Sequence, residues 1–166
     1  RFICLLVRDS AFLEENRRQA AVRPLGYHQD ISRQSWSYHD YRDSDIATYV
    51  PAMEWLADQG VWILRMGKIM KKQLRSAHPR IIDYAFCNNK SDLLDIWLFA
   101  NCNFCISTGT GMDTACIVYR RPILYLNCAP LICLNNYSQS TWVNKSIYWI
   151  KSGKPLRLKE YLEHSY

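Results

Sequence analysis

Apolar runs of strand or helix length recur along this chain, separated by polar stretches rich in glycine, proline and charge. Phe2-Ile3-Cys4-Leu5-Leu6-Val7 is continuously apolar over strand length, the pattern of a parallel strand buried on both faces. Ala11 to Ala20 predicts a helix. From Ala21 to Ser44 the chain is polar, aromatic and irregular, with Pro24, Gly26, His28, Trp36, Tyr38, His39 and Tyr41. A loop of that length predicts a functional or mobile segment. Asp43-Ser44-Asp45 offers N-caps for a helix from about Ile46 to Asp58, with Ala47, Val50, Met53, Glu54 and Ala57 near helical spacing and Gly60 ending it. Val61 to Arg65 reads as a strand, Met66 to Pro79 as a basic loop, and Arg80 to Tyr84 as a short strand. Ser91-Asp92 caps a helix whose predicted apolar face is Leu93, Leu94, Ile96, Trp97 and Ala100. Asn103 to Ser107 is a strand, Met112 to Tyr119 a helix, Ile123 to Leu126 a strand. Ser146 to Ile150 predicts a last edge strand and Leu158 to Glu163 a closing helix. Strands alternate with helices, which predicts an α/β fold with a parallel sheet covered on both faces.

The stretch from Phe104 to Asn127 is the most informative. An apolar run leads into Ser107-Thr108-Gly109-Thr110-Gly111, then a helical pattern, then Arg120-Arg121-Pro122 and a second apolar run. A turn of glycine and hydroxyl residues lets the backbone approach a ligand closely. A helix that starts there would aim its free N–H groups and positive dipole end at the turn. The pattern predicts a site for a phosphate or diphosphate. It is neither a Walker loop, since no Gly-Lys-Ser/Thr closes it, nor Gly-x-Gly-x-x-Gly on a first strand. A tight turn without a ligand is the plain alternative.

The chain has 166 residues, enough for one α/β domain, and 49% are hydrophobic, which excludes a disordered chain. It opens on Arg1 and enters a strand almost at once, so it is expected to be a piece of a longer protein. The net charge of +6 is uneven: Arg65, Lys68, Lys71, Lys72, Arg75 and Arg80 follow one another with no acid until Asp83. A second basic group is Lys151, Lys154, Arg157 and Lys159. Such patches suit phosphates, an anionic membrane surface or nucleic acid, or are simply solvated. Of seven cysteines, Cys4, Cys102, Cys105 and Cys116 sit in apolar runs, as buried thiols do. Cys102-x-x-Cys105 resembles half a zinc site, but no second close pair completes it, so no metal is expected. The cysteine usage fits a reducing, cytoplasmic setting. The apolar runs fall well short of the roughly 18 residues a membrane span requires.

Ligands of an open parallel sheet sit beyond the carboxyl ends of its strands. Those ends carry Arg8-Asp9-Ser10, then Arg65, Gly67 and Lys68, then Asp83 and Tyr84, then Thr108-Gly109-Thr110-Gly111. Two arginines, a lysine and a glycine-rich turn are thus expected on one edge. Either arginine can instead be a structural ion-pair partner, with Asp9 and Asp83 as candidates. His28 and His39 lie beside Asp30 and Asp40. A histidine near an acid can act as a base, and His39, within His39-Asp40-Tyr41-Arg42-Asp43, is the stronger candidate. The 11 tyrosines and 6 tryptophans would serve either sugar or base stacking or ordinary core packing.

Six pieces taken in order resemble a known family: Val7-Arg8-Asp9-Ser10, Tyr41-Arg42-Asp43-Ser44-Asp45-Ile46, Trp62-Ile63-Leu64-Arg65-Met66-Gly67, Ile81-Ile82-Asp83-Tyr84-Ala85, Ser91-Asp92-Leu93-Leu94-Asp95, and the turn from Thr108 to Gly111. Together they are similar to a bacterial glycosyltransferase family of GT-B type, distantly similar to GDP-fucose-using fucosyltransferases. The likeness covers about Phe2 to Asn127, with a weaker echo at Ser152-Gly153-Lys154-Pro155-Leu156. It rests on order and spacing rather than on any one motif. Two positions depart from the family pattern. Leu6 stands where the family has histidine, and Arg120-Arg121 stand where its helix ends in glycine, which removes a C-cap glycine.

The resemblance implies a single Rossmann-like nucleotide-sugar-binding domain over 1–166, the C-terminal, donor-binding half of a two-domain enzyme whose N-terminal domain lies elsewhere. The donor diphosphate would sit on Thr108, Gly109, Thr110 and Gly111, helped by Arg8 and Arg65, and Lys68, from its place after the second strand, is a further candidate for the same site. The acceptor base would be His39 or Asp43, or would come from the other domain. No cofactor is implied beyond the nucleotide-sugar co-substrate, and no metal, in keeping with the lack of a paired Asp-x-Asp. The expected acceptor is a surface glycan or a lipid-linked molecule, which would put the protein in the cytoplasm, at most peripheral to the inner face of the membrane through its basic loop. A nucleotide-sugar epimerase of the same fold is one alternative. A non-catalytic module for nucleic acid or a membrane surface is another; nucleic acid is not expected, because aromatics do not interleave the basic loop.

Overall fold

A computed structural model describes residues 1–22, 40–129 and 139–163. The first strand, β1 (Phe2–Leu6), leads to helix α1 (Ala11–Val22). A 3-10 turn (Ile46–Tyr49) runs into α2 (Val50–Asp58), followed by β2 (Trp62–Arg65) and β3 (Ile81–Ile82). Another 3-10 turn (Tyr84–Phe86) precedes α3 (Asp92–Asn101) and β4 (Cys105–Ser107). A short turn (Gly111–Asp113) opens α4 (Thr114–Val118), and β5 (Ile123–Cys128), β6 (Ser140–Asn144) and α5 (Leu158–Glu163) complete the order. The six strands form one parallel sheet in the order β3-β2-β1-β4-β5-β6. The fold is α/β and Rossmann-like, with helices on both faces.

Alternation along β1 shows how the two faces are built. Cys4 and Leu6 face α3 and α4, joining Leu98, Phe99, Cys102, Cys105, Cys116 and Tyr125 in one core. Ile3, Leu5 and Val7 face α2, joining Met53, Ala57, Ile63 and Ile106 in the other. Such a central strand has no solvent side, which is why its sequence is continuously apolar. Each fully buried large side chain contributes about 1.5–3 kcal/mol. Asp45 caps the Ile46 turn by accepting from the Ala47 N–H, and Ser91 caps α3 by accepting from the Leu94 N–H.

Three expectations need correction. The last strand is Ser140–Asn144, not Ser146 to Ile150; Tyr148 makes only an isolated antiparallel bridge to Pro155. Trp142 of β6 stacks on Tyr125 of β5 with ring centroids 3.9 Å apart, which anchors this edge. The buried face of α3 is Leu98 and Phe99, whereas Leu93, Leu94, Ile96 and Trp97 are exposed. Apolar residues stand on both the buried and the exposed sides of this helix, so its periodicity does not choose a face. Of the second helix's predicted positions, Met53 and Ala57 are buried and Val50 and Glu54 half-buried, but Ala47 is exposed, and Ile46 and Tyr49 take the buried places beside them.

Arg120 has φ +54°, the left-handed conformation in which glycine is favoured, immediately after α4. Asn127 shares that φ at a register shift in β5.

Candidate functional site

The strand order reverses direction at β1: the chain first builds outward through β2 and β3, then returns to lay β4 on the other side of β1. In doubly wound sheets a crevice opens outside the carboxyl ends at that point. Here it holds a cavity of about 550 Å³. Its floor is the end of β1, Leu6 to Asp9. One wall is the start of α1, with Phe12 and Leu13, and the facing wall is α3, with Asp92, Asp95, Ile96 and Phe99. Gly67 to Met70 close one end, and Thr110, Gly111, Met112 and Ala115 the other. The walls are largely apolar, with a few charged groups set among them, as small-molecule sites commonly are.

Arg8 stands on the floor. Its backbone N–H donates to Thr108 Oγ1 at 2.8 Å, tying the ends of β1 and β4 together. Its Nε donates to Asp43 Oδ1 at 3.1 Å, with the two side chains 16% and 24% exposed. The carboxylate therefore fixes the back of the guanidinium, and among the described residues its two terminal amino groups have no acceptor. Asp9 is not the partner of Arg8. Its two oxygens accept from the backbone N–H groups of Ala11 and Lys71, which joins the start of α1 to the basic loop.

The glycine-rich turn is held from within. Thr108 N–H donates to Leu6 O, Gly109 N–H to Ser107 Oγ, and Thr110 N–H to Asp113 Oδ2. Ser107 Oγ also donates to Asp113. A buried carboxylate thus occupies the start of this helix, where an anion was expected, and α4 proper has only five residues. Burial holds the Asp113 carboxyl above the usual range, with the Ser107 and Thr110 bonds and nearby Arg42 opposing it. Thr108 and Gly109 are structural and lie off the cavity wall, whereas Thr110 and Gly111 line it. A side chain at Gly111 would enter open space: no atom lies within 4 Å of a Cβ there.

Arg65 does not reach the cavity. It is fully buried, donating to Asp83 Oδ1 at 3.0 Å and to Lys72 O at 3.1 Å, with Phe86 5.5 Å from its guanidinium carbon. It braces the loop behind the site. Lys68 lines the cavity and pairs with Asp92 at 3.2 Å, an exposed pair that a ligand can displace at little loss. Gly67 has φ +156°, and a Cβ there would lie 2.5 Å from the Met70 sulfur. His39 and His28 lie outside the described residues. Asp43 serves Arg8 rather than facing the cavity as a base.

Four of the six basic residues between Arg65 and Arg80 form ion pairs. Lys71 pairs with Glu14 and Lys72 with Asp45, in addition to the Arg65 and Lys68 pairs, while Arg80 donates to the neutral Ala57 carbonyl and keeps its charge. The aromatic rings on the cavity are Phe12 and Phe99, while Trp97 stacks on Phe2 and Trp142 on Tyr125. Cys102 and Cys105 are core thiols with Cys4 and Cys116, and among the described residues no three His, Cys, Asp or Glu side chains are placed to hold a metal ion. Contact with Cys102, then burial, pushes the Cys4 thiol up, so it stays protonated. No described helix is long and apolar enough to cross a membrane.

Two residues of the site escaped sequence reasoning. Lys90 donates to the carbonyls of Gly67, Lys68 and Ala85, clamping the loop that closes one end. Asp95 shares the cavity wall with Asp92, three residues away on one helix face, a spacing that was legible. Its Oδ1 is buried. The Tyr84 hydroxyl lies beside it, and burial followed by its side-chain interaction with the Asp95 carboxylate pushes that phenol up to about 12. Compared with protein-family models, with curated proteins and with solved structures, the chain finds no match.

Proposed function

We propose that this domain binds a nucleotide-sugar donor and is the donor half of a metal-independent glycosyltransferase of GT-B type, acting on a surface glycan or lipid-linked acceptor. The observation that carries this reading is Arg8. It stands at the β1–β4 crevice with its Nε fixed by Asp43 and its two amino groups available to an anion. A planar, pre-oriented guanidinium suits phosphate oxygens. During transfer the leaving diphosphate gains negative charge, and a fixed cation beside it stabilises that charge more than the ground state. Gly111, with open space where a side chain would stand, lets the backbone come close to the same group. The apolar walls would exclude water around the reacting bond. Isothermal titration of the chain with UDP, GDP, ADP and CDP tests the reading. Binding of at least one, weakened in Arg8→Lys, is the expected result; binding of none sinks it.

A further inference from the structure

Beyond β6 the chain builds a small arm. Tyr148 bridges Pro155 antiparallel, Leu156 N–H donates to Ile147 O at 2.7 Å, and Trp149 N–H donates to Lys154 O at 2.9 Å. Gly153 N–H donates to Trp149 O, and Gly153 sits at φ +62°, so the arm ends in a tight turn over Ile150, Lys151 and Ser152. Exposure alternates along its first strand: Ile147 and Trp149 are half-buried, Tyr148 and Ile150 exposed. Ile150, at the tip, is 101% exposed, so none of its apolar surface is used by the fold. Helix α5 follows the arm, with Tyr161 buried and Leu158 and Leu162 exposed one turn apart.

The charge here is of one sign and unpaired. From Lys145 to Lys159 the sequence holds five cations and no acid. Lys151, Lys154 and Arg157 are exposed, and among the described residues their side chains form no ion pair. Lys159 has a loose, exposed contact with Glu163 at 3.9 Å. The loop after Arg65 is the opposite case, since four of its six cations are paired. An aliphatic side chain held in water among free cations matches an anionic lipid surface: the cations meet headgroup phosphates and the isoleucine leaves water at the acyl boundary. Ile150 has no ring to stack on a base, so nucleic acid would gain nothing from it. Three residues separate Ile147 from the tip, about 10 Å of strand, so even Arg157 at the base lies about one Debye length from a surface that the tip touches. We propose that this arm is a peripheral membrane contact, which sets Ile150 in the headgroup–acyl boundary of an anionic bilayer with Lys151, Lys154 and Arg157 on its phosphates. The proposal is independent of the nucleotide reading, since none of these residues lines the cavity.

The test is sedimentation of the whole chain with vesicles of phosphatidylcholine alone and of equal parts phosphatidylcholine and phosphatidylglycerol. The native chain should bind the mixed vesicles, not the neutral ones, and less as salt is raised. Lys151→Gln with Lys154→Gln should weaken binding about twenty-five-fold, or about fivefold for each cation removed. Ile150→Ser should weaken it at least about tenfold, since the isoleucine no longer leaves water. Both variants should melt with the native chain, because the replaced side chains are exposed. Arg75→Gln, which removes an exposed cation of the other basic group, should bind like the native chain. Absence of binding to the mixed vesicles overturns the proposal. So does binding that Ile150→Ser leaves unchanged, which makes the arm a contact for any polyanion, and so does an equal loss in Arg75→Gln, which gives the binding to net charge. Tighter binding to a single-stranded RNA than to the mixed vesicles, lost in the same double lysine variant, assigns the arm to nucleic acid instead.

Discussion

Replacing Arg8 by lysine separates a ligand-binding arginine from a structural one. The Arg8–Asp43 pair is 3.1 Å long and mostly shielded from water. At an effective dielectric of about 20 its gross attraction is about 5 kcal/mol, most of which offsets desolvation. Lysine keeps the charge but loses the Nε bond and the planar fork, so stability should fall by about 1 kcal/mol, or about 2–4 °C in melting temperature for a chain of this size. The backbone bond from residue 8 to Thr108 is retained in either case. If the free amino groups hold a diphosphate, losing the fork should weaken nucleotide affinity by about 1.5–3 kcal/mol, or ten- to a hundredfold. Asp43→Asn is the control. It keeps an acceptor for Nε and removes the charge, so it should lower stability by a similar amount with a much smaller effect on affinity. Calorimetric titration and thermal melts of both variants give the two numbers. Equal, small stability losses with unchanged affinity in both would refute the role given to Arg8.

Arg120→Gly should stabilise the protein by about 0.5–1 kcal/mol, read as a rise in melting temperature, because Arg120 is exposed and held at φ +54°. Gly111→Val should leave the fold intact and weaken nucleotide binding at least tenfold, since its side chain would enter open space on the cavity wall; retained affinity would make the turn structural only. The Asp113 carboxyl is held above its ordinary pKa by burial, so the folded state keeps its proton at pH values where the unfolded chain has lost it. Its contribution to stability is therefore fully present below about pH 4 and declines as pH rises through the raised value. Melts of the native chain and Asp113→Asn across pH 4–7 should show the native chain losing ground to the variant with rising pH; a constant difference would contradict this.

The parts of this fold legible in the sequence are those where one local pattern has one reading. β1 is continuously apolar because both of its faces are covered, and Asp45, Ser91 and Gly60 mark helix ends by their own chemistry. What misled was chemistry completed by distant partners. Arg65 reads as a cation at a strand end, yet Asp83, 18 residues on at the end of the neighbouring strand, takes it into the interior. Sequence order named Asp83 as a possible partner, but could not weigh it against a ligand. The helix after Gly111 seemed to offer its N-terminus to an anion, and Asp113, two residues further on, fills that place itself. Ser140–Asn144 went unread because its ends are polar and its strand character comes from pairing with β5. Asp95 differs from Asp92 in lying against Tyr84, a neighbour 11 residues back that no local pattern records.

A crystal structure of the chain soaked with the tightest-binding nucleotide sugar bears on the donor site itself. The diphosphate should lie within hydrogen-bonding distance of Arg8 and the Gly111 backbone, between the ends of β1 and β4. A nucleotide bound elsewhere, against the Lys71–Arg80 loop for example, with the β1–β4 cavity empty, would contradict the assignment of this cavity as the donor site.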